Sequence, residues 1–145
     1  MLRGRFGDTS GRPYIEGRLI LPNLNILGDI SFLVDTGSDE TRLHPSDGIR
    51  LNIDYGQLSG DAESVGTSGV SHDFIEPAFV VFSEPRRFLY AYNITLRIAP
   101  YDVEIMNLPS LLGRDILARW RMIYDPQKKR LVFKVISADV TVPLF

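Results

Sequence analysis

Ile30-Ser31-Phe32-Leu33-Val34-Asp35-Thr36-Gly37-Ser38 is the stretch that decides how this chain is read. Its first five residues look like a buried strand, and they run straight into an acid followed by a tight Thr-Gly turn. Asp39-Glu40-Thr41 beyond is polar and turn-like. A strand built this way delivers a carboxylate into a narrow loop. Taken alone the tripeptide is weak, since ordinary residue frequencies put it in roughly one chain in fifty of this length. An Asx-type turn ending a strand would use the same residues. The chain carries it once.

Working outward, a second element matches the first: Leu111-Leu112-Gly113-Arg114-Asp115-Ile116-Leu117. An apolar pair and a glycine lead into the only segment that reads convincingly as helix, Arg114 to Trp120. There Ile116, Leu117 and Trp120 share a face over about two turns, and Trp120 is expected in the core.

The rest reads as β. Tyr14 to Leu21 and Leu27 to Val34 form a first hairpin with its loop within 22–26. From Phe88 to Ile98 the even positions are apolar, with Asn93, Thr95 and Arg97 between them, the period-2 pattern of a half-buried strand. Phe79-Val80-Val81-Phe82 precedes it across a turn at 83–87, and Met122-Ile123-Tyr124 and Leu131 to Val135 flank a turn at 125–130. Residues 56–71, with four glycines and four serines, predict a mobile hairpin whose tip lies near Gly66-Thr67-Ser68-Gly69.

Composition sets the frame. The 145 residues predict one domain, able to bury about two-thirds of its unfolded surface. A net charge of −2 supplies no overall field toward nucleic acid or an anionic membrane, and neither is expected as a partner. The absence of cysteine excludes disulfides, thiolate metal sites and cysteine nucleophiles. His44 and His72 lie far apart without a ligand pattern, so neither metal nor cofactor is expected. The first residues lack the apolar run of a signal peptide, and nothing approaches the roughly 18 apolar residues of a membrane span; a cytoplasmic protein is the expectation. Asn93-Ile94-Thr95 fits a glycosylation sequon, which matters only to an exported chain.

Together, Phe32 to Asp39 and Leu111 to Asp115 resemble the two signatures of the retropepsins, the single-domain aspartic proteases of retroviruses and retrotransposons and their cellular relatives. The resemblance covers roughly residues 12–135, leaving 136–145 as an extension of a single domain spanning 1–145. It implies an all-β fold: a closed β-barrel with one short C-terminal helix and a flap hairpin. It also implies an aspartic endopeptidase with Asp35 as the catalytic acid. Two carboxylates must share a proton in such chemistry, one polarising the scissile carbonyl and the other activating water. Asp54, Asp61, Asp102 and Asp125 lack the Thr-Gly context and read as solvated turn acids. The second carboxylate is therefore expected to be Asp35 of another subunit across a two-fold axis, with an inactive monomer and a polypeptide substrate.

The neighbours take implied roles. Thr36 is similar to a family threonine that bonds across the dimer axis. Gly37 permits the turn and close approach of substrate. Ser38 would hydrogen-bond the outer oxygen of Asp35. Asp39 matches an acid that pairs with the helix arginine, Arg114, and with an arginine near the partner's N-terminus, for which Arg12 is in the matching place. Gly66, Thr67, Ser68 and Gly69 would form the flap tip over bound peptide. Here the chain departs from the retroviral pattern: 65–70 is not a glycine-isoleucine-glycine-glycine run. Its tail also continues past the helix through a hairpin into Val140-Thr141-Val142-Pro143, a segment that either pairs with its mate or hangs loose. The competing reading is a non-catalytic module of the same fold that holds a peptide or simply dimerises. A pure binder has no need of the acid.

Overall fold

A computed structural model describes residues 1–66 and 69–145, with backbone alone at 62–66 and 69–71. The chain opens with two short strands, β1 (Leu2–Arg3) and β2 (Arg5–Phe6). Then β3 (Pro13–Leu21) and β4 (Ile26–Val34) form the first hairpin, closed by Asn25 in the left-handed region at φ 53°. After β5 (Arg42–Leu43) comes a six-residue helix, α1 (Pro45–Arg50). A long antiparallel pair follows, β6 (Gly60–Gly66) and β7 (Gly69–Glu84), and β7 turns into β8 (Phe88–Ile98). The last third holds β9 (Leu111–Leu112), α2 (Arg114–Leu117), the hairpin β10 (Trp120–Asp125) and β11 (Arg130–Val135), and finally β12 (Val140–Pro143).

The pairings close a barrel. β3 pairs with β4, β4 runs parallel to β9, β9 meets β5, β5 runs parallel to β8, β8 pairs with β7, and β7 returns to β3. Six strands thus form a ring without a free edge, which removes the unpaired backbone groups an open sheet would present. The alternation read from Phe88 to Ile98 holds: Tyr92, Leu96 and Ile98 are buried while Asn93 and Thr95 face out. Across the interior Phe32, Phe82, Tyr92, Trp120 and Phe133 pack ring against ring, with Trp120 and Phe82 centroids 4.8 Å apart and edge-on.

Three local readings change. α2 is one turn, not two: Trp120 starts β10, and its Nε1 donates to the Tyr92 hydroxyl at 2.7 Å inside the core. A second α-helix, α1, was not legible, because six residues begun by Pro45 show no periodicity. The tail does not hang loose. β12 adds antiparallel to β8 of its own chain, Val140 opposite Ala91, with Phe145 edge-on to Phe88.

Candidate active site

β4 carries Asp35 to one end of the barrel. There the Leu33 N–H donates to the Ser110 carbonyl (2.8 Å) and the Asp35 N–H to the Leu112 carbonyl (3.0 Å), so the strand is held along β9 up to the acid itself. Beyond it the chain folds tightly. The Gly37 N–H donates to Asp35 Oδ1 (2.9 Å) and the Ser38 N–H to the Asp35 carbonyl (3.2 Å). This is an Asx-type turn, and it leaves Oδ2 without a partner among the described residues. The carboxylate is partly exposed. A side chain at position 37 would crowd Asp35 Oδ1 at 3.2 Å, so glycine keeps the acid's approach open.

The loop is clamped from behind by the second signature. At the start of α2, where amides lack intrahelical acceptors, the Arg114 N–H donates to the Ser38 carbonyl (2.8 Å) and the Asp115 N–H to the Asp39 carbonyl (3.2 Å). Arg114 Nη1 donates to the Thr36 carbonyl (2.7 Å), and Nη2 donates to the Asp39 carboxylate, so the implied Asp39–Arg114 pair is present. Gly113 is buried, and a Cβ there would overlap the Glu40 backbone; only glycine lets strand and loop touch.

Two residues of this clamp escaped the sequence reading. Thr41, fully buried, gives its hydroxyl to Asp115 Oδ1 (2.7 Å) and its N–H to Asp115 Oδ2 (2.9 Å), while its hydroxyl accepts the Gly113 N–H (3.2 Å). Asp115 Oδ1 also accepts the Ile116 N–H (3.0 Å). Burial raises the Asp115 carboxyl above its ordinary value, against the pull of the hydrogen bonds from Thr41 and Ile116. The available signal was an acid in the first turn of a helix, a common cap. Its partner lay too far off in sequence to be named.

The remaining expected residues sort as follows. The Ser38 hydroxyl donates to the Glu40 carbonyl (2.7 Å), not to Asp35, because the loop's own unpaired carbonyl lies closer to hand. The Thr36 side chain is exposed. Arg12 is exposed too, two residues before Tyr14, which pairs with Leu33, so it sits at the same barrel end as Asp35. Gly66 and Gly69 are opposed in register at the end of the β6–β7 pair, while Thr67 and Ser68 lie outside the described residues. Asp54, Asp102 and Asp125 each accept a backbone N–H in a turn, as turn acids do, whereas Asp61 lies within β6 opposite Phe74, an exposed strand position and not a turn.

Beneath the loop runs a polar chain, exposed at Glu40 and buried at Asp73 and His44. Glu40 pairs with Arg97 (2.5 Å), Arg97 lies 3.8 Å from Asp73, and Arg42 grips Asp73 in two bonds of 2.7 and 3.0 Å. Arg42 Nη1 donates to His44 Nε2 (3.0 Å), and His44 Nδ1 donates to the Pro109 carbonyl (2.5 Å). Both ring nitrogens of His44 are thus engaged by the polypeptide.

No family model and no curated protein matches the chain. Solved structures do. A retropepsin-like aspartic protease from Rickettsia conorii superposes with a TM-score of 0.53 at 21% identity, over 92% of this chain and 88% of that one. The fold is retropepsin-like. A looser likeness joins this barrel to EIAV protease complexed with the inhibitor HBY-793, at 21% identity and a TM-score of 0.48, over 77% of this chain and 90% of that one. At such identity the likeness speaks for the architecture, and the chemistry has to be argued from the residues.

Proposed function

We propose that this protein is a homodimeric aspartic endopeptidase in which Asp35 of each subunit supplies half of one catalytic dyad. The observation that carries the reading is the state of Asp35. It lies partly exposed at the barrel end, one oxygen on the Gly37 amide and the other open, on a loop clamped through Arg114 and Asp115. A rigid loop that leaves one carboxylate oxygen free is what general acid–base chemistry on water requires. The retropepsin-like barrel adds to this.

In the reaction, two such carboxylates share one proton, since like charges at that range cannot both ionise. The charged one takes a proton from water as the oxygen attacks the scissile carbonyl. The protonated one passes its proton to the carbonyl oxygen. Collapse of the tetrahedral diol breaks the C–N bond: the amine takes a proton from one carboxyl while a diol hydroxyl gives one to the other, so the dyad again holds a single proton. Substrate lies extended across the barrel end beneath the β6–β7 hairpin acting as a flap, bonded strand-like on both sides. Thr36 bonds across the two-fold axis, and Arg12 reaches the partner's Asp39. The apolar strand behind Asp35 favours hydrophobic residues beside the cleaved bond.

Asp35→Asn in a peptide-cleavage assay at acidic and neutral pH tests the reading. The variant is expected to fold, dimerise and cleave nothing; undiminished cleavage would end it.

A further inference from the structure

All three lysines of the chain lie in the β10–β11 hairpin, at 128, 129 and 134. Register shows how they are arranged. Directly opposed residues of an antiparallel pair project to one face. Trp120, Leu131, Phe133 and, from β1, Leu2 turn one face toward the core. The opposite face therefore carries Arg121 opposite Lys134, Ile123 opposite Val132, Asp125 opposite Arg130, and Arg3 beside Val132. Lys128 and Lys129 extend it at the turn, and all six cations are exposed. None makes an ion pair or a side-chain hydrogen bond among the described residues, whereas Arg5, Arg18, Arg42, Arg50, Arg87, Arg97, Arg114 and Arg119 all do. The single acid on the face, Asp125, accepts the Lys128 backbone N–H. A net charge of −2 averages this asymmetry away.

We infer that the outer face of the β1–β11–β10 sheet is a docking surface for an anionic phospholipid bilayer. Charge complementarity names an anion, and three features choose a membrane. The face is a three-stranded sheet surface broad enough to lay six cations against a plane. At its centre Ile123 is 36% exposed beside Val132, an apolar spot ringed by long cationic side chains, the pattern of residues that sit at a headgroup layer. No aromatic side chain stands on this face to stack a base, as a single-stranded nucleic acid would require. The inference is independent of the proteolytic reading and holds whether or not Asp35 cleaves anything.

The test is co-sedimentation of the full chain with vesicles of phosphatidylcholine doped with phosphatidylglycerol, against vesicles of phosphatidylcholine alone. Binding is expected only to the anionic vesicles and should weaken with added salt. Each cation removed should cost about fivefold, so Lys128→Gln, Lys129→Gln and Arg130→Gln together should weaken binding on the order of a hundredfold. The pair Arg3→Gln and Arg121→Gln, on other strands, should reduce it independently. Circular dichroism shows that each variant is folded. Equal binding to both vesicle types, retention by the triple variant, or an oligonucleotide held through these residues while vesicles are not would each overturn the inference.

Discussion

Thr41 and Asp115, 74 residues apart, are joined by two hydrogen bonds that tie the loop after the candidate catalytic acid to the first turn of α2. The Thr41 hydroxyl serves both sides, donating to Asp115 and accepting from Gly113. Replacing it with a methyl strands a buried N–H and part of a buried carboxylate. Thr41→Val should therefore lower stability by about 1–3 kcal/mol, read as a shift in the urea midpoint, with a larger fractional loss in any Asp35-dependent cleavage.

Gly113→Ala should be at least as damaging. Its Cβ would overlap backbone, which yields less readily than the end of a side chain. A loss of about 1–3 kcal/mol is expected from overpacking. A variant as stable as the parent would show that loop and helix can separate freely.

Arg114→Ala separates stability from positioning. Both Arg114 and Asp39 are well exposed, so the pair contributes at most about 1 kcal/mol. The Thr36 carbonyl, however, loses its donor beside Asp35. A nearly unchanged thermal midpoint with a reduced kcat at constant KM is the expected outcome, and an unchanged kcat would argue that the loop needs no such support.

His44 should set a pH window for stability. Burial lowers its pKa below the ordinary 6.5, with Arg42 acting in the same direction and the Pro109 carbonyl, Asp73 and Asp47 opposing. Between the folded value and 6.5 the unfolded chain binds more protons, so stability is intact above 6.5 and falls as pH drops through the window. Protonation would also turn His44 Nε2 from acceptor to donor against Arg42. His44→Gln should flatten this slope in urea titrations above and below 6.5; an unchanged slope would assign it elsewhere.

If Asp35 works as half of a dyad, specific activity should rise with protein concentration and level off once dimer dominates. Mixing Asp35→Asn chains into active ones should depress activity beyond simple dilution. Activity strictly proportional to concentration down to a sedimenting monomer would exclude the shared site.

Several layers of this protein were legible in the chain. Alternation along Phe88 to Ile98, the apolar run into Asp35 and the glycine before Arg114 reflect local rules of strand, turn and close approach, and each rule acts within a few residues. The hairpin framework and the acid at its end followed from them. Burial and pairing between distant segments do not obey such rules. That Thr41 would meet Asp115, that β12 would add to β8, and that Arg42, Asp73 and His44 would form one chain depended on which strands became neighbours when the barrel closed. The basic face belongs to the same class, since cations scattered over β1, β10, β11 and their turn become one surface only through register. Asp35 and its turn were a property of sequence; the clamp that holds them was decided by tertiary structure, because only closure of the barrel brings α2 against the loop.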